Sequence, residues 1–445
     1  MSDRFDVAVV GAGFTGLAAA MTLARGGKRV VVLEQEHSVG GLGGTFRFAD
    51  GVEVEKFYHH WFTSDTHVPR LVKELGMDGD IVTMPSRTGM YLNGRIWQLS
   101  TPLDLLRFKA MPLPDRIRLG VATLRVRRIK DWKAIEHLSI REWLEPLCGK
   151  TAYAQVWEPL VRAKFGKYAD QVNAVWMWKK LVLRGSTRNS TGGEELAYFR
   201  GGFGRLANAV AEDVRAHGGD VRLGTRVTGV ETADGRVSRL HTDSGAVEAD
   251  EFLFTSALEQ TAELFDAAGP TEWLASLRRV EHLANLCLVL RLTRSLSDTY
   301  WLNVNDPGFP FVGLIEHTNF DSPDHYGGDR IAYLSRYLDI EDPAWLMSDT
   351  EYLDYALGHL RRMFPDFDRS WIREHATWRA RYAQPITERG YSEFRPSTAT
   401  PWDNVHVQTM AHIYPEDRGT NYAIRDGQAA AQRLLAQPST TSAPA

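Results

Sequence analysis

The sequence predicts an α/β protein with more than one domain. Its 445 residues are enough for two to three domains at about 150 residues each. A β-branched run at residues 6–10 is followed by a glycine-containing turn, an alanine-rich segment with helical spacing at residues 17–25, and a second apolar run at residues 29–33. Because strands that alternate with helices form parallel sheets with helices on their faces, this order predicts a parallel sheet.

Composition and charge exclude several classes of protein. Lysine and arginine number 52 and aspartate and glutamate 56, so the net charge of −4 gives no indication of a nucleic-acid partner. No apolar run approaches the roughly 20 residues that cross a bilayer. The two cysteines, Cys148 and Cys287, are too far apart for a zinc or redox motif, and the first residues lack the pattern of a signal peptide. We therefore expect a cytoplasmic protein.

The turn after the first strand has the glycine spacing of a dinucleotide-binding fingerprint. Gly11 permits a tight turn, Gly13 lets the main chain approach a pyrophosphate, and Gly16 lets the helix and the strand pack closely. The amide N–H groups and the dipole at the start of the following helix favour bound phosphate. We therefore expect the cofactor site to include these three glycines together with Phe14 and Thr15.

The next two features identify the expected dinucleotide. Glu34 ends the second strand, where a carboxylate accepts hydrogen bonds from a ribose diol and would repel a 2′-phosphate. Residues 37–45 then carry four glycines, which allow the main chain to pass close to a large flat ligand. This segment favours FAD over NAD, and its candidate cofactor residues are Gly41, Gly43, Gly44 and Thr45.

Residues 37–45 resemble the second fingerprint of the flavoprotein superfamily that holds amine oxidases, protoporphyrinogen oxidase, phytoene desaturases and UDP-galactopyranose mutase. The chain as a whole also resembles a group of bacterial protoporphyrinogen-oxidase-like proteins that are known mainly as FAD-dependent oxidoreductases. Four blocks carry this second resemblance: residues 57–60 (FYHH), 157–160 (WEPL), 382–385 (YAQP) and 413–421 (IYPEDRGTN).

The resemblance implies an α/β fold with a discontinuous Rossmann-type FAD-binding domain and an inserted α+β substrate domain. The FAD-binding domain would comprise residues 1–85, 195–275 and 395–436. The substrate domain would combine a helical insertion, residues 86–194, with an antiparallel sheet in residues 276–394. Residues 437–445 are rich in Ser, Thr, Pro and Ala and are expected to form a disordered tail.

The resemblance also implies further contacts to FAD. Val227 would lie against the adenine, and the turn before the last helix would be formed by Gly419, Thr420 and Asn421. Superfamily members commonly carry Gly-Asp at the end of the last strand, where the acid binds the ribityl chain, but this sequence has Thr409-Met410 there. We expect Asp417 or Glu416 to take over that contact.

A second nucleotide-binding motif competes with the first. Residues 202–207 satisfy GxGxxA at the start of a helix, as a separate NAD(P)H site would. However, the strand that follows, residues 221–223, does not end in a ribose-binding carboxylate, and the resemblance uses this helix inside the FAD-binding domain. Both interpretations stay open at the level of the sequence.

The catalytic candidates come from two segments. His59 and His60 follow an alternating, strand-like run at residues 52–55. Adjacent residues on a strand point to opposite faces, so we expect one of the two histidines to face the flavin and the pair to be a poor metal chelate. In the second insertion, antiparallel strands would form the floor of the substrate site; the candidates there are Arg381 and Tyr382, followed by Glu316, His317, Arg336 and Tyr337.

The first insertion contains a basic amphipathic segment at residues 101–133. It has nine Lys or Arg residues and three Asp residues, interleaved with large apolar ones. One interpretation is a solvated helix face, and the other is a surface that docks on an anionic membrane or guides a phosphorylated substrate. Downstream of it, four tryptophans either line a cavity or fill the core, namely Trp143, Trp157, Trp176 and Trp178.

These observations give three functional hypotheses. The leading one is an FAD-dependent oxidoreductase that oxidises a small amine, alcohol or prenyl-type substrate by hydride transfer to flavin N5, assisted by a proton acceptor among His59, His60 and Tyr382. The second is an isomerase similar to UDP-galactopyranose mutase, with Arg336, Arg379 and Arg381 on a diphosphate. The third is a flavin-binding protein without turnover. Substrate, electron acceptor and oligomeric state are not legible in the sequence.

Overall fold

The computed structural model describes residues 4–186 and 194–437, so the predicted tail lies outside the described residues from position 438 onward. The helices within these residues are α1 (Phe14–Arg25), α2 (His67–Glu74), α3 (Pro102–Arg107), α4 (Leu113–Val126), α5 (Ile140–Cys148), α6 (Lys150–Ala152), α7 (Glu158–Phe165), α8 (Ala174–Ser186), α9 (Gly202–Ala216), α10 (Leu258–Leu264), α11 (Thr271–Arg278), α12 (Pro343–Leu346), α13 (Asp349–Met363), α14 (Tyr391–Phe394) and α15 (Thr420–Ala436). The strands are β1 (Phe5–Val10), β2 (Val30–Leu33), β3 (Thr45–Arg47), β4 (Glu53–Glu55), β5 (Trp61–Phe62), β6 (Ile81–Pro85), β7 (Thr88–Leu92), β8 (Arg95–Gln98), β9 (Glu195–Phe199), β10 (Asp220–Arg222), β11 (Val227–Ala233), β12 (Arg236–Thr242), β13 (Gly245–Phe254), β14 (His282–Leu292), β15 (Trp301–Val304), β16 (Gly313–Glu316), β17 (Arg330–Leu338), β18 (Ile372–Pro385) and β19 (Val405–Val407).

A parallel sheet forms the centre of the first layer, in the order β10-β2-β1-β13-β19. Every residue of β2 is buried, as expected for a strand that is covered on both faces. The helix α1 follows β1 directly and packs against both α9 and α15. The predicted strand-turn-helix-strand order of the first 33 residues is therefore present, and it stands in the middle of the sheet.

The strand β13 connects this sheet to a small antiparallel meander. Its first half pairs with β12, which in turn pairs with β11, and its second half, residues 249–254, pairs in parallel with β1. One long strand thus holds two kinds of sheet together.

The first and the last helix of the described chain are in direct contact. A Cβ atom on Gly427 of α15 would lie 2.2 Å from the main-chain oxygen of Thr15 in α1. Any side chain at position 427 would therefore push the two helices apart. This glycine allows the last helix to cover the start of the first.

A second sheet of seven strands, in the order β18-β14-β17-β16-β15-β7-β8, lies beyond the parallel one. It is antiparallel except for the pairing of β15 with β7. One face of β14 carries Leu286, Leu288 and Leu290, which pack in one apolar cluster with α13. The opposite face, with Cys287 and Val289, belongs to the cluster of α1 and α9 and is directed toward the parallel sheet. The predicted floor of antiparallel strands is therefore present.

A buried arginine joins the second sheet to the loop that follows β3. Arg291 on β14 is 2% exposed, and its guanidinium donates to Asp329 (2.7 Å), to Glu374 on β18 (2.9 Å) and to both carboxylate oxygens of Asp50 (2.8 and 2.7 Å). These three acids come from distant parts of the sequence. Their shared arginine fixes the loop between β3 and β4, residues 48–52 and called here the 50-loop, against the sheet.

Helices α3 to α8 form a separate layer of residues 102–186 at the side of the second sheet. The chain returns from it through β9, which pairs with β5 and β6. None of the helices in residues 4–186 and 194–437 combines the length and the apolar character needed to cross a bilayer.

Candidate functional site

The turn between β1 and α1 is shaped by its glycines. Gly11 has a φ of +103°, and a Cβ there would lie 2.8 Å from the Thr255 hydroxyl. A Cβ on Gly16 would lie 2.0 Å from the main-chain oxygen of Gly11, whereas a Cβ on Gly13 would meet nothing within 4 Å. Gly11 and Gly16 are therefore required by the turn itself, and the space beside Gly13 is open to a ligand.

The start of α1 is suited to an anion. Its first residue, Phe14, follows Gly13 without any side-chain cap, so the first amide N–H groups of the helix have no side-chain acceptor in this position. Phe14 faces inward, because its ring packs edge-on against Phe203, whereas Thr15 is half-buried and its main chain approaches α15. The open side of Gly13 and the uncapped helix together form a cradle for phosphate groups.

Glu34 stands at the end of β2, beside this cradle. Its two carboxylate oxygens accept hydrogen bonds from the amides of Ala12 (2.8 Å) and Glu36 (2.9 Å). Its main-chain oxygen accepts from the amide of Thr225, two residues before Val227. The structure thus brings Glu34 and Val227 to the same end of the cradle. Each carboxylate oxygen retains a lone pair with which a ribose hydroxyl can bond.

The second glycine segment packs on the first. Gly40 donates its amide to the Ala12 oxygen, and a Cβ on Gly41 would lie 3.2 Å from the Gly13 Cα. A Cβ on Gly43 would lie 2.8 Å from the Phe14 ring, and one on Gly44 3.0 Å from the Gly41 oxygen. The neighbouring Thr45 hydroxyl donates to Glu53. These glycines let two loops approach each other closely at the cradle.

The turn before α15 lies next to α2. Gly419 and Thr420 begin α15 without a side-chain cap. The Asn421 side-chain oxygen accepts from the amides of His67 (2.8 Å) and Val68 (3.2 Å), so it caps the start of α2. The amide oxygen of Asn421 thus has a structural partner within the protein.

The acid expected on the ribityl chain is engaged elsewhere. Asp417 forms an ion pair with Lys180 (2.6 Å) through one oxygen and accepts from Gln384 (3.2 Å) through the other. Although burial opposes it, the positive charges of Lys180, Lys164 and Arg418 hold the pKa of Asp417 well below its ordinary value. Both carboxylate oxygens therefore have protein partners.

The other candidate for the ribityl chain, Glu416, contacts Lys179 and Arg425. Thr409, at the position where the resemblance implies glycine, caps a short 3-10 turn.

Side chains of the protein block the competing motif at residues 202–207. Glu55 is buried at the start of α9, where it accepts hydrogen bonds from the amide of Phe203 (3.1 Å) and the Tyr198 hydroxyl (2.6 Å). A Cβ on Gly204 would lie 2.2 Å from the Thr45 hydroxyl oxygen. A carboxylate thus occupies the position that a phosphate would need, so this motif does not form a second nucleotide site.

The partial burial of four side chains beside the second sheet indicates an internal cavity. Tyr58, His60, Lys164 and Arg418 keep some accessible surface, although protein surrounds each of them. Aromatic rings connect them: Tyr58 and His60 both stand edge-on to Trp301, with centroid distances of 5.0 and 5.6 Å. Tyr58 and His60 therefore share one aromatic wall, and the space indicated by the four side chains is called here the aromatic cavity.

The positive groups of the cavity are arranged around Tyr337 of β17. The Lys164 ammonium lies 4.7 Å from the centre of the Tyr337 ring and 4.9 Å from that of Trp176, and Arg418 donates to the Tyr337 hydroxyl (2.5 Å). Burial, and then the charges of Lys180 and Arg418, hold the pKa of Lys164 well below its ordinary value, although Asp417 acts in the opposite direction. The cavity thus combines a fixed cation with an amine that loses its proton readily.

The two adjacent histidines contact opposite sides of the cavity. Residues 57–60 are not a strand, in contrast to the sequence interpretation, yet the rings still diverge. The His59 ring packs on Phe203 and bonds the Phe57 oxygen, whereas His60 bonds the Tyr300 hydroxyl (2.9 Å). Burial, and then the charge of Arg184, lowers the pKa of His60 to about 3, and burial also lowers that of His59.

Several indole N–H groups point into the protein without an acceptor. Within the described part of the chain, the Nε1 atoms of Trp157, Trp176, Trp178 and Trp378 are buried and have no hydrogen-bond partner. Buried donors of this kind are normally satisfied. Trp176 lies beside Lys164, so a polar ligand there would supply an acceptor for its indole N–H.

The structure does not bring the preferred residues of β18 to this cavity. Arg381 is exposed and stacks on Tyr382, whose ring packs against His282 at a centroid distance of 5.7 Å. Arg336 and Arg379 are paired with Asp342 and Asp349 on the side of α13, the face of the sheet away from the cavity.

The remaining candidates of the second insertion have protein partners as well. Glu316 accepts from the amides of Leu296 and Ser297, and burial raises its pKa to about 7. His317 bonds the Tyr326 hydroxyl (2.6 Å). Tyr337 is the candidate from this sheet that does line the cavity. The sequence interpretation missed Lys164 and Arg418, although Arg418 stands within the block at residues 413–421.

Comparisons with known proteins agree with this architecture. The model of a family described as flavin containing amine oxidoreductase matches residues 14–435. The 15-cis-phytoene desaturase of Arabidopsis thaliana is 23% identical over 393 residues, which are 81% of this chain and 66% of the relative. The flavin-containing amine oxidase B of Homo sapiens is 27% identical over 226 residues, 48% of this chain and 43% of the relative. The chain thus spans just under two thirds of the first relative and less than half of the second.

Solved structures share the fold over almost the whole chain. A reduced UDP-galactopyranose mutase matches with a TM-score of 0.75 and 14% identity, covering 97% of this chain and 94% of its own. The cyclohexylamine oxidase from Brevibacterium oxydans matches with a TM-score of 0.70 and 17% identity, covering 97% and 99%. At these identities the likeness concerns the fold.

Proposed function

Since the chain belongs to the family of flavin-containing amine oxidoreductases, it is an FAD-dependent oxidoreductase, and we propose that it oxidises a small alcohol or prenyl-type substrate with a neutral or anionic polar end. The observation that carries this proposal is the pair of Lys164 and Arg418 around Tyr337 inside the aromatic cavity. A substrate that enters as an ammonium ion would meet the fixed charge of Arg418 and lose its hydration. Amines are therefore the least favoured of the three substrate classes.

The residues of the cradle fit FAD. The open side of Gly13 and the uncapped start of α1 would accommodate the pyrophosphate, and Glu34 would accept hydrogen bonds from the adenosine ribose. The uncapped start of α15 offers a second set of amide N–H groups. FAD held by these residues would supply the hydride acceptor of the oxidation. The protein then needs to orient the substrate, exclude water and remove one proton.

Lys164 is the group best placed to take that proton. As an alcohol is oxidised, the C–H bond breaks with both electrons leaving as hydride, the O–H bond breaks with the proton moving to the Lys164 Nζ, and a C=O bond forms. The lowered pKa of Lys164 keeps its amine free of a proton near neutral pH more often than an exposed lysine. With a pKa of about 3, His60 is a poor proton acceptor and serves instead to orient the substrate.

Anaerobic bleaching of the flavin absorbance tests the proposal. We expect alcohols or prenyl compounds with a carboxylate or phosphate end to bleach the holoenzyme faster than amines of similar size. Lys164→Met should lower the rate of bleaching by about 100-fold, since it removes a general base, while Lys164→Arg should not restore it. Lys179→Met is the matched control, because Lys179 lies on α8 and pairs with Glu416. Faster bleaching by amines, or an unaffected Lys164→Met variant, would contradict the proposal.

Arg418 also favours a second candidate, an isomerase that acts on a sugar nucleotide. A diphosphate would satisfy its guanidinium, and the Lys164 amine beside it would donate a further hydrogen bond. Arg336 and Arg379, the arginines expected for this role, are paired with acids beside α13. Turnover of a sugar nucleotide only after dithionite reduction of the flavin would favour this alternative over net oxidation.

A further inference from the structure

We infer that α3 and α4 form a surface that docks on an anionic lipid bilayer. This surface, called here the α3–α4 face, consists of Leu103, Leu106, Leu113, Ile117, Val121 and Leu124. The inference concerns the attachment of the protein to a membrane, and it does not depend on the reaction proposed for the cavity. Residues 101–133 were left with two interpretations by the sequence, and the exposure of these side chains distinguishes them.

The exposure of the α3–α4 face is unusual for this molecule. Of the seven large apolar side chains that are most exposed in the described residues, six belong to it, each between 40% and 59% exposed. The seventh, Leu346, stands alone in α12. Single exposed leucines are ordinary, but a contiguous group of six indicates a surface that contacts something apolar. A solvated helix face would carry polar residues at these positions.

The helix α4 is apolar on two sides. Leu119, Ala122 and Val126 are buried and attach it to the protein. Leu113, Ile117, Val121 and Leu124 follow one another at intervals of four, four and three residues, which places them on a single stripe at about 100° per residue. This second stripe is not needed for folding onto the helical layer. Its regular spacing is that of a helix lying in an interface.

The two helices are held as one unit. The Arg116 guanidinium on α4 donates to two main-chain oxygens. One belongs to Leu106 in the last turn of α3, and the other to Met111 in the loop between α3 and α4. Thr101 and Asp104 form a capping box at the start of α3. The leucines of α3 are therefore presented together with the stripe of α4 on a rigid support, so that docking does not require a helix to form first.

Charge determines what the α3–α4 face contacts. Residues 101–133 carry nine Lys or Arg against three Asp, although the whole chain has a net charge of −4. One of those three, Asp104, is occupied as the cap of α3. In a symmetric dimer the same positive patches would oppose each other. An anionic bilayer supplies both the apolar depth for the leucines and the negative charge for Arg107, Lys109, Arg125, Arg128 and Lys130.

Sedimentation of the purified holoenzyme with phosphatidylcholine vesicles, with and without phosphatidylserine, tests this inference. We expect binding to the vesicles that contain phosphatidylserine, weaker binding to the neutral ones, and weakening by salt. Replacing the α4 stripe by Ile117→Ser, Val121→Ser and Leu124→Ser should lower the partition coefficient at least about tenfold. The control is Leu346→Ser, which removes an even more exposed leucine (77%) outside the face.

Charge-reversal variants separate the electrostatic contribution to vesicle binding from the apolar contribution. Arg125→Glu with Arg128→Glu should abolish the preference for phosphatidylserine, whereas Arg70→Glu with Lys73→Glu on α2 makes the same change of net charge and should preserve it. Retained flavin absorbance and circular dichroism in each variant show that the fold is intact. Absence of wild-type binding to anionic vesicles overturns the inference, as does unchanged binding of the serine variant. A dimer in solution that the serine variant dissociates, without vesicle binding, would assign the face to self-association and also overturn it.

Discussion

The cofactor cradle and the aromatic cavity are constructed in different ways. The cradle is made mostly of main chain from two nearby segments, residues 11–16 and 40–45, whose glycines pack on one another. The cavity is made of side chains from segments far apart in the sequence, among them Tyr58, Lys164, Trp301 and Arg418. One region depends on backbone conformation, and the other depends on how several elements pack together.

This difference has a consequence for where substitutions act. In the cradle, the addition of a single carbon atom changes the space that the ligand needs, so the effect on binding is local and large. In the cavity, each side chain is positioned by contacts that reach outside it, such as the ties between the second sheet and the 50-loop. Substitutions there are expected to act on stability and on chemistry together.

The largest expected effect tests the role of backbone in the cradle. Gly13→Ala should leave the folded chain intact, because its Cβ would meet no protein atom within 4 Å, yet it should lower FAD occupancy at least about tenfold by filling the space beside the pyrophosphate. FAD content per protein after purification is the measurement. Gly358→Ala in α13 is the control, since that Cβ also meets nothing within 4 Å. Full FAD content in Gly13→Ala would show that the ligand does not pass there.

The second prediction concerns the long-range support of the cavity. Arg291→Met would remove one of the two arginines that pair with the buried carboxylate of Asp329 and leave it only the exposed Arg373 (3.2 Å), at a cost of up to about 3 kcal/mol in the free energy of unfolding. Urea denaturation followed by circular dichroism measures this loss. Asp50→Asn, at the exposed end of the same cluster, should cause a much smaller change. Equal losses in the two variants would mean that burial of the cluster is unimportant.

The third prediction uses the buried histidines of the cavity, which the cradle lacks. Below pH 6.5 the unfolded chain binds a proton at His60, whereas the folded chain stays neutral there until about pH 3. The free energy of unfolding should therefore fall as the pH decreases, by about 2 kcal/mol from this group near pH 5. His60→Gln should flatten this pH dependence in urea titrations. A slope that is identical in the wild-type protein and the variant would assign the acid sensitivity to other groups.

The cradle was predictable because its chemistry lies in contiguous sequence. Gly11, Gly13, Gly16 and Glu34 stand at spacings that follow from the geometry of one strand, one turn and one helix. Where function depends on a single supersecondary unit, the sequence was sufficient.

The cavity was not predictable in the same way. Lys164 lies on the helix α7, and lysines on helices are normally solvated. Its amine meets the Tyr337 ring only because β17, which is distant in sequence, packs beside α7. Arg381 and Tyr382 were expected to face the flavin, but an irregularity in the pairing of β14 and β18 lies at this part of the strand. A local change of register alters which side chains face inward, and the sequence carries no visible sign of it.

Glu55 shows the same limit for the second GxGxxA motif. The motif is intact, but a carboxylate from β4 occupies the start of its helix, and the two lie far apart in sequence. Only the tertiary structure distinguishes a nucleotide site from a helix that is capped by the protein itself.

The contact between Thr15 and Gly427 bears on how the protein acquires its cofactor. These residues lie near opposite ends of the sequence, so a growing chain on the ribosome contains α1 long before α15 has been made. The nucleotide-binding half can therefore close only after α15 has been synthesised. Flavin insertion in this sense waits for α15, and a cell short of riboflavin would accumulate chains that carry both helices but lack their chromophore.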